Sequence, residues 1–448
     1  MQIPLIPPPF LRVIQEMDNP SPLFGMGPLV GDRYLHWDEL RHRQPPEGLS
    51  HETWWAGVRL ARQTQLRSLP FVDKTGNSVQ FGTPDPVLAR LHSIDRQAAG
   101  HVAMDLPVAT FDDRDRYLVS SLIEEAITSS QLEGAATTRE EAKAMLRSGR
   151  VPRDRSERMI MNNYNAMEAV RQFRDRALTP EIVLALHRVI TEGTLENPSA
   201  VGRLRRPDER INVVSVDHVT VLHEPPAAES LPNRLERLCA FANASADSGK
   251  FVHPVLRAIL LHYMLGYDHP FVDGNGRTAR AIFYWSMARS GYWLIEYVSI
   301  SRLLHKAPAQ YARAFLHTET DANDTTYFIV HQLEVIEKAI QALHDYLKHK
   351  MTEQNAAEKL LRTAPRLANQ LNHRQVALLT HALRHASHGY TTMSHKRSHR
   401  ITQQTARTDL EQLVTLGLLD KGKQGRAFIF HAPADLRQRI EHAATRKR

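Results

Sequence analysis

A short segment, HPFVDGNGRTAR from His269 to Arg280, holds residue types that can handle a nucleotide phosphate. His269 offers a general base. The proline that follows it disfavours helical geometry, so this histidine is expected to lie at the end of a helix. Asp273 supplies the hard carboxylate oxygen that Mg²⁺ prefers. The segment therefore combines a proton acceptor with a candidate metal ligand.

The residues after this acidic side chain favour anion binding. Gly274, Asn275 and Gly276 permit unusual backbone dihedrals and the close approach of a ligand. A helix is predicted directly after them, and its free N–H groups and positive dipole end would face the loop. Arg277 and Arg280 lie on one face of that helix and add two cations. Each feature alone has an ordinary structural explanation, but their coincidence predicts a nucleotide-phosphate site.

The elements that must position this segment are mainly helical. Strong helical periodicity runs from about Tyr117 to Leu347. The segment from Arg210 to Leu222 is the exception, because its β-branched, partly alternating residues predict a hairpin. Helices are predicted at residues 117–133, 139–147, 154–175, 179–191, 229–245, 254–267, 276–290 and 325–348.

Composition divides the chain into four regions. With 448 residues, 42% hydrophobic and 24% charged, the chain is expected to form more than one packed domain. Residues 1–115 are rich in proline and are interpreted as an accessory region, with a short hairpin from Phe71 to Phe81. The main helical domain, a polar linker and a C-terminal domain are predicted at 116–348, 349–364 and 365–448.

The C-terminal region carries the positive charge of the chain. From residue 365 onward there are 15 Lys or Arg and 5 Asp or Glu, so that the remaining 364 residues sum to −2. Helices at 374–386, around Ser394 and at 402–416, followed by a hairpin turn bracketed by Gly422 and Gly425, are the element order of a winged helix. Duplex DNA is the expected partner, and a protein contact is the alternative. The candidate DNA contacts are Lys396, Arg397, Arg400, Thr402, Gln403, Gln404, Arg407, Lys421, Lys423 and Arg426.

Other features predict a cytoplasmic protein without a membrane partner. Cys239 is the single cysteine in the sequence, so no disulfide framework can form within one chain. The first ten residues, MQIPLIPPPF, lack the basic start and apolar run of a signal peptide. No stretch approaches the roughly 18 apolar residues that a membrane span needs.

The segment HPFVDGNGRTAR is similar to the Fic family signature at every position that defines it. The resemblance covers about Tyr117 to Leu347 and implies a helical bundle with a β-hairpin flap. The predicted fold class is therefore mainly α, a Fic bundle with a flap plus a C-terminal winged helix. The implied activity is transfer of AMP from ATP to a Ser, Thr or Tyr hydroxyl of a target protein.

The resemblance implies a role for each residue of the motif. His269 would deprotonate the acceptor hydroxyl, and Asp273 would hold Mg²⁺. The backbone of residues 274–276, with the Asn275 side chain, would stabilise charge on the α-phosphate. Arg277 and Arg280 would hold the β- and γ-phosphates. Three further roles are implied: Phe271 anchors the loop, Tyr311 contributes to the adenine pocket, and Val213, Val214 and Ser215 of the flap receive the target by strand addition.

A second segment, SSQLEG from Ser129 to Gly134, resembles the inhibitory motif of Fic proteins. Gly134 predicts a helix end, and Thr138 with Glu141 predicts a capping box for the next helix. Glu133 would then lie in a last helical turn, where the dipole disfavours its charge by about 0.3–1 kcal/mol. The resemblance implies that Ser129 and Glu133 inhibit the enzyme, and that the cation paired with Glu133 is Arg280.

Two alternative functions stay open at this point. Glu133 could orient a water so that the same site removes AMP, or the Fic domain could be the sensor of a DNA-binding regulator. The sequence does not name the target, the signal that relieves inhibition, or a nucleotide preference other than ATP. A homodimer also stays open.

Overall fold

The computed structural model describes residues 2–99, 111–215, 219–245, 251–362, 370–384, 388–399, 401–424 and 427–445. The chain divides into two compact units, Met1–Leu343 and His344–Arg448. The fold is mainly helical, as the sequence predicts. No helix among the described residues combines the length and apolar character needed to span a membrane.

Fourteen helices begin in the first unit, counted over the described residues, and each lies close to its predicted position where one was predicted. They are α1 (Phe10–Gln15), α2 (Trp37–Leu40), α3 (His51–Gln63), α4 (Asp85–Ala98), α5 (Phe111–Leu132), α6 (Arg139–Ser148), α7 (Arg155–Phe173), α8 (Pro180–Thr191), α9 (Leu231–Asn243), α10 (Pro254–Asp268), α11 (Asn275–Arg289), α12 (Ser301–Lys306), α13 (Pro308–Thr320) and α14 (Thr326–Arg362).

The helices α10 and α11 form the centre of this unit. Nearly all their side chains are buried, including Ile259 of α10 and Phe283 and Trp285 of α11. Such helices, buried on nearly every side, are stable only when other elements surround them. The His269–Arg280 segment starts directly after α10 and includes the first turns of α11. Both of its ends are therefore fixed by the core.

The N-terminal region contributes to the same core. An antiparallel hairpin pairs β1 (Arg67–Val72) with β2 (Ser78–Phe81), and Gly76 in its turn has a φ of 92°. Leu69, Phe71, Val79 and Phe81 of this hairpin are buried in the main core cluster. The hairpin prediction is therefore confirmed, but its apolar face makes the N-terminal region part of one compact unit.

Two features of the helical region differ from the sequence prediction. The helices α12 and α13 were not predicted, because neither presents a long apolar periodicity of its own. The helix α14 continues to Arg362, through most of the segment predicted as a linker. No Gly or Pro interrupts residues 326–362, so nothing in that polar stretch ends the helix.

The predicted flap is a short antiparallel ribbon. Its strands are β3 (Val213–Val214) and β4 (Val221–His223), with Val213 opposite His223 and Val214 opposite Val221. Its backbone pairing continues toward the tip through the Ser215 N–H, which donates to Thr220 O at 2.8 Å. The second strand ends at His223, one residue beyond the predicted hairpin, which ended at Leu222.

The second unit has its own helices, sheet and core. Its elements are α15 (His373–Arg384), β5 (Gly389–Tyr390), α16 (Thr392–His399), α17 (Gln403–Thr415), β6 (Asp420–Gln424), β7 (Ala427–His431) and α18 (Leu436–Thr445). The sheet is antiparallel in the order β5-β7-β6. Leu379, Leu410, Leu413, Phe430 and Ile440 form the core of this unit. This element order is compatible with a winged helix, which stays a prediction.

One glycine was misplaced in the prediction for this hairpin. Gly422 lies inside β6, paired with Ile429 of β7, so it does not bracket the turn. The last described pair of this hairpin joins Gln424 to Ala427. Gly425, Arg426 and Arg400 lie outside the described residues. A hairpin register depends on cross-strand packing, which a pair of glycines in the sequence does not reveal.

Candidate active site

His269 caps the C-terminus of α10 in a left-handed conformation, with φ 44° and ψ 56°. Its ring Nδ1 lies 2.8 Å from the carbonyl oxygen of Gly266. A carbonyl can only accept, so Nδ1 carries the proton and the lone pair is on Nε2. Burial is the main cause that lowers the pKa of His269, which keeps the ring neutral near pH 7. His269 is thus arranged as a candidate general base.

Arg205 fixes the backbone on both sides of this histidine. Its Nε donates to His269 O at 2.9 Å, and its backbone N–H donates to Pro270 O at 2.9 Å. A non-glycine residue in left-handed geometry is strained and persists only when its surroundings hold it. Arg205 is buried and was not identified from the sequence, because nothing in its local sequence shows that it contacts a turn 64 residues away.

The loop after Asp273 opens directly into α11. Gly274 has a φ of 81°, and a Cβ there would lie 2.7 Å from Thr191 Cγ2, so only glycine fits. Asn275 and Gly276 already belong to the first turn of α11, so the helix starts one residue earlier than predicted. The unpaired N–H groups of that turn form a candidate anion site.

The predicted role of the Asn275 side chain needs correction. Its Oδ1 accepts from Phe271 N at 2.9 Å and its Nδ2 donates to Phe271 O at 2.8 Å. Both polar atoms therefore close the loop from inside, and the amide does not face a phosphate. Phe271 itself is fully buried, as expected of a loop anchor.

His187 is a second loop anchor that the sequence did not indicate. Its ring stacks on Phe271, with centroids 3.7 Å apart and planes 7° apart. Its Nε2 donates to Asp273 O at 2.9 Å, and its Nδ1 accepts from Gly202 N at 3.1 Å. Only the neutral ring can satisfy both bonds, and burial lowers its pKa to about 4. His187 therefore fixes the backbone that carries the Asp273 carboxylate.

The Asp273 side chain is about one-third exposed and surrounded by donors. Oδ1 accepts from Gly274 N at 2.5 Å, and it lies 3.5 Å from Arg277 Nη2. Oδ2 lies 3.3 Å from Arg155 Nη2. The described residues hold no cluster of three or more His, Cys, Asp or Glu side chains that suits a metal. A single accessible carboxylate does fit Mg²⁺ that takes its other ligands from phosphates and water.

Both motif arginines are buried, with side chains 0% and 2% exposed. Arg277 donates from Nη1 to Ile190 O at 3.2 Å, whereas its Nε has no hydrogen-bond partner among the described residues. Arg280 donates from Nε to Ser129 Oγ at 2.8 Å, and from Nη2 to Ser129 O at 2.9 Å and Glu133 Oε1 at 2.8 Å. The structure thus brings the two sequence motifs together.

The helix α5 ends at Leu132, so Glu133 lies one residue beyond it and not in its last turn as predicted. The helix end predicted at Gly134 is confirmed, and this glycine is left-handed with φ 90°. Burial lowers the pKa of Arg280, but Glu133, Tyr311 and Glu125 together outweigh burial and the pKa is raised. A Cβ built on Gly276 would overlap Glu133 Oε1. The carboxylate therefore covers the first turn of α11, where a phosphate would be expected.

The Tyr311 hydroxyl makes a contact within the protein. The Tyr311 hydroxyl lies 2.7 Å from His262 Nε2, and burial raises the pKa of Tyr311 to about 12. An adenine pocket at Tyr311 stays a prediction.

Val214 in the flap is 39% exposed, whereas Ser215 is buried. The flap can therefore offer backbone and the Val214 side chain to a target, but not the Ser215 hydroxyl.

The close approach of Glu133 to Gly276 gives a stability prediction. Gly276→Ala should lower the free energy of unfolding by about 1–3 kcal/mol, because the added methyl group displaces the carboxylate from Arg280. Urea denaturation would measure the loss, and Gly25→Ala is the control because a Cβ there meets no atom within 4 Å. In a Glu133→Gly background most of the loss should disappear. An equal loss in both backgrounds would contradict the overlap.

The fold and site define a mainly helical protein with a candidate anion-binding loop at the start of α11. Residues 177–287 match the model of the Fic/DOC family. The crystal structure of a Fic family protein from Desulfovibrio desulfuricans G20 is similar in fold, with a TM-score of 0.51, 18% identity, and coverage of 79% of this chain and 97% of that chain. Residues 177–287 of the chain thus match the Fic/DOC family, within a fold that resembles a Fic family protein.

Two curated relatives each match about a quarter of this chain. Protein adenylyltransferase Fic of Drosophila virilis is 36% identical over 115 residues, which are 26% of this chain and 21% of that protein. Protein adenylyltransferase Fic of Nematostella vectensis is 32% identical over 120 residues, which are 27% of this chain and 25% of that protein. The chain thus spans about a fifth to a quarter of the length of these relatives.

Proposed function

We propose that this chain is a protein adenylyltransferase that moves AMP from ATP to a Ser, Thr or Tyr hydroxyl of a target protein, and that Glu133 inhibits it. The observation that carries the proposal is the joint geometry of the two motifs. A neutral His269 with a free Nε2 adjoins an anion loop, and an acidic side chain from elsewhere in the chain covers that loop. The names of the curated relatives support the same activity.

The transfer step follows from the chemistry of these groups. The Nε2 of His269 takes the proton of the target hydroxyl while the hydroxyl oxygen bonds to the α-phosphorus of ATP. The bond from the α-phosphorus to the bridging oxygen breaks, and pyrophosphate leaves. The N–H groups at the start of α11 and the guanidinium of Arg277 stabilise the charge that develops on the phosphates.

Asp273 is the residue that would hold Mg²⁺, since its carboxylate is accessible and its backbone is fixed by His187. The ion would supply neutralisation of phosphate charge when bound. The protein's own contribution is orientation, because the Asp273 carbonyl and carboxylate are both held by hydrogen bonds.

Inhibition would act through the same anion site. Glu133 covers the first turn of α11 and pairs with Arg280. A γ-phosphate that enters the site would therefore meet a negative charge where it would otherwise meet a free guanidinium. ATP then binds in a pose whose α-phosphate is not aligned with the incoming hydroxyl. A misplacement of about 1 Å lowers the rate on the order of a hundredfold.

The decisive experiment is mass spectrometry of the Glu133→Gly protein and of added candidate proteins after incubation with ATP and Mg²⁺. Added AMP on the protein itself or on a candidate is expected, and the His269→Ala, Glu133→Gly protein is the control. Absence of added AMP from every protein in the reaction would contradict the transferase activity. Loss of AMP from a pre-labelled target, dependent on Glu133, would support the reverse reaction instead.

A second function, binding of duplex DNA, is favoured by the charge of the C-terminal unit. That unit contains all of the chain's net positive charge, as the sequence shows. Gln403, Gln404 and Arg407 are exposed on α17, and Lys421 and Lys423 are exposed on β6. Thr402 caps α17 by accepting from Thr405 N at 3.1 Å, so its hydroxyl is engaged within the protein.

The DNA prediction concerns salt dependence. The full chain should bind duplex DNA with an affinity that falls steeply as salt increases, because neutralised phosphates release counterions. Lys423→Gln should reduce the slope of log affinity against log salt by about 1, and Lys421→Gln by less because Lys421 pairs with Glu411 at 2.5 Å. Lys306→Gln, an exposed lysine of α12, is the control. Fluorescence anisotropy would measure the DNA affinity of each protein over a series of salt concentrations. No binding at low salt would favour a protein-contact role.

A cytoplasmic location is part of this proposal. The sole cysteine in the sequence, Cys239, is free and buried, and burial raises the pKa of its thiol to about 12. Such a thiol is unreactive and compatible with a reducing compartment.

A further inference from the structure

Arg155 brings a third guanidinium to the phosphate loop from outside both motifs. It is the first residue of α7, and its Nη2 lies 3.3 Å from Asp273 Oδ2, a residue 118 positions away. Its Nε donates to Thr194 O at 2.8 Å. The side chain is 60% exposed, so the guanidinium is anchored at one edge and accessible at the other.

The Asp273 carboxylate has protein donors on both oxygens in this structure. Oδ1 is held by Gly274 N and faces Arg277, while Oδ2 faces only Arg155 among the described residues. A divalent cation at Oδ2 and the guanidinium would compete, because two positive charges cannot share one oxygen without repulsion. A metal bound at Oδ2 would therefore displace Arg155 from the carboxylate.

The released guanidinium keeps its anchor. The hydrogen bond from Nε to Thr194 O does not involve Asp273, and α8 ends at Thr191, whose side chain borders Gly274. Arg155 thus stays at the rim of the loop while its Nη atoms become free. Guanidinium groups bind phosphate oxygens through parallel hydrogen bonds, which makes phosphate the natural next partner.

We propose that Arg155 is a third phosphate-binding arginine of this site, which holds the Asp273 carboxylate before the metal arrives and contacts the polyphosphate of the nucleotide afterwards. This inference rests on the proposed nucleotide site and not on the identity of the target. It assigns to Arg155 two opposite effects, one on nucleotide binding and one on metal binding. A solvated surface arginine would have neither effect.

The chain offers a matched control one turn along α7. Arg158 is also exposed, and its guanidinium group packs beside Gly193 rather than the loop. Both residues can be changed to glutamine in the full-length Glu133→Gly protein, in which the anion site is uncovered. Arg155→Lys retains the charge but not the two parallel donors.

Calorimetry of ATP binding, without metal and over a Mg²⁺ series, tests the proposal. Arg155→Gln should weaken ATP binding at saturating Mg²⁺ about five- to tenfold and leave metal-free ATP binding nearly unchanged. In a parallel titration of Mg²⁺ without ATP, the same variant should bind the metal more tightly. Arg155→Lys should recover part of the ATP affinity, and Arg158→Gln should change neither quantity.

The outcomes separate this inference from the proposed function. If the Glu133→Gly parent does not bind ATP, the nucleotide site itself is wrong and both proposals fall. If the parent binds ATP and Arg155→Gln binds it equally well at saturating Mg²⁺, only the role of Arg155 is refuted. Equal losses in Arg155→Gln and Arg158→Gln, or a loss of ATP binding that follows a drop in thermal stability, would assign Arg155 a structural role.

Discussion

Replacing His269 with alanine should abolish AMP transfer while leaving ATP affinity within about twofold. The expected loss in rate is at least the roughly 10²–10⁴-fold typical of removing a general base. Transfer requires the Nε2 lone pair, because a Ser, Thr or Tyr hydroxyl is protonated near pH 7. ATP binding instead depends on the first turn of α11 and on the arginines, which this substitution does not touch.

The His269→Ala substitution is best tested in the Glu133→Gly background, in which AMP transfer is expected to be fast enough for its loss to be measured. Incorporation of labelled AMP measures the rate, and calorimetry measures ATP affinity. His305→Ala, which removes an exposed histidine from α12, is the matched control and should leave both quantities unchanged. Transfer at the parental rate in the His269→Ala protein would remove this mechanism from consideration.

Replacing Glu133 with glycine should raise AMP transfer on the order of a hundredfold. The substitution removes the carboxylate that pairs with Arg280 at 2.8 Å and uncovers the first turn of α11. Arg280 keeps its bonds to Ser129, so the guanidinium remains in place to receive a γ-phosphate. The effect on ATP affinity should be smaller, because misalignment affects the rate more than the binding.

Two partner substitutions distinguish release of inhibition from other effects. Arg280→Ala should weaken transfer by itself, and in that background Glu133→Gly should add little, because the pair acts as a unit. Glu140→Gly, which removes an exposed carboxylate from α6, is the control and should not activate the enzyme. If Glu133→Gly leaves transfer unchanged or lowers it, the inhibitory assignment is wrong.

Ser129 contacts the same arginine as Glu133. Ser129 supplies two acceptors to Arg280, from its hydroxyl and from its carbonyl oxygen. These bonds hold the guanidinium in the orientation that Glu133 meets. Because the three acceptors lie on the last turn of α5 and the residue after it, the end of that helix positions the whole contact.

Local sequence was enough to predict the helical class, the flap and the residues of both motifs. Helix ends depend on neighbours within a few positions, so Pro270, Gly134 and the Thr138–Glu141 capping box could be identified directly. The capping box is present as predicted, with Thr138 accepting from the backbone N–H of Glu141. Periodicity located the buried helices α10 and α11 because their apolar side chains repeat at helical spacing.

Only the tertiary structure decided which side chains act on the site from a distance. His187, Arg205 and Arg155 contact the His269–Gly274 turn from α8, the segment after it, and α7, and none belongs to a recognisable motif. The inward orientation of the Asn275 amide likewise depends on a buried loop that needs its backbone groups satisfied. These contacts join residues 64 to 118 positions apart. Local propensity holds no information at that separation, so the packing of the helices alone brings these residues together.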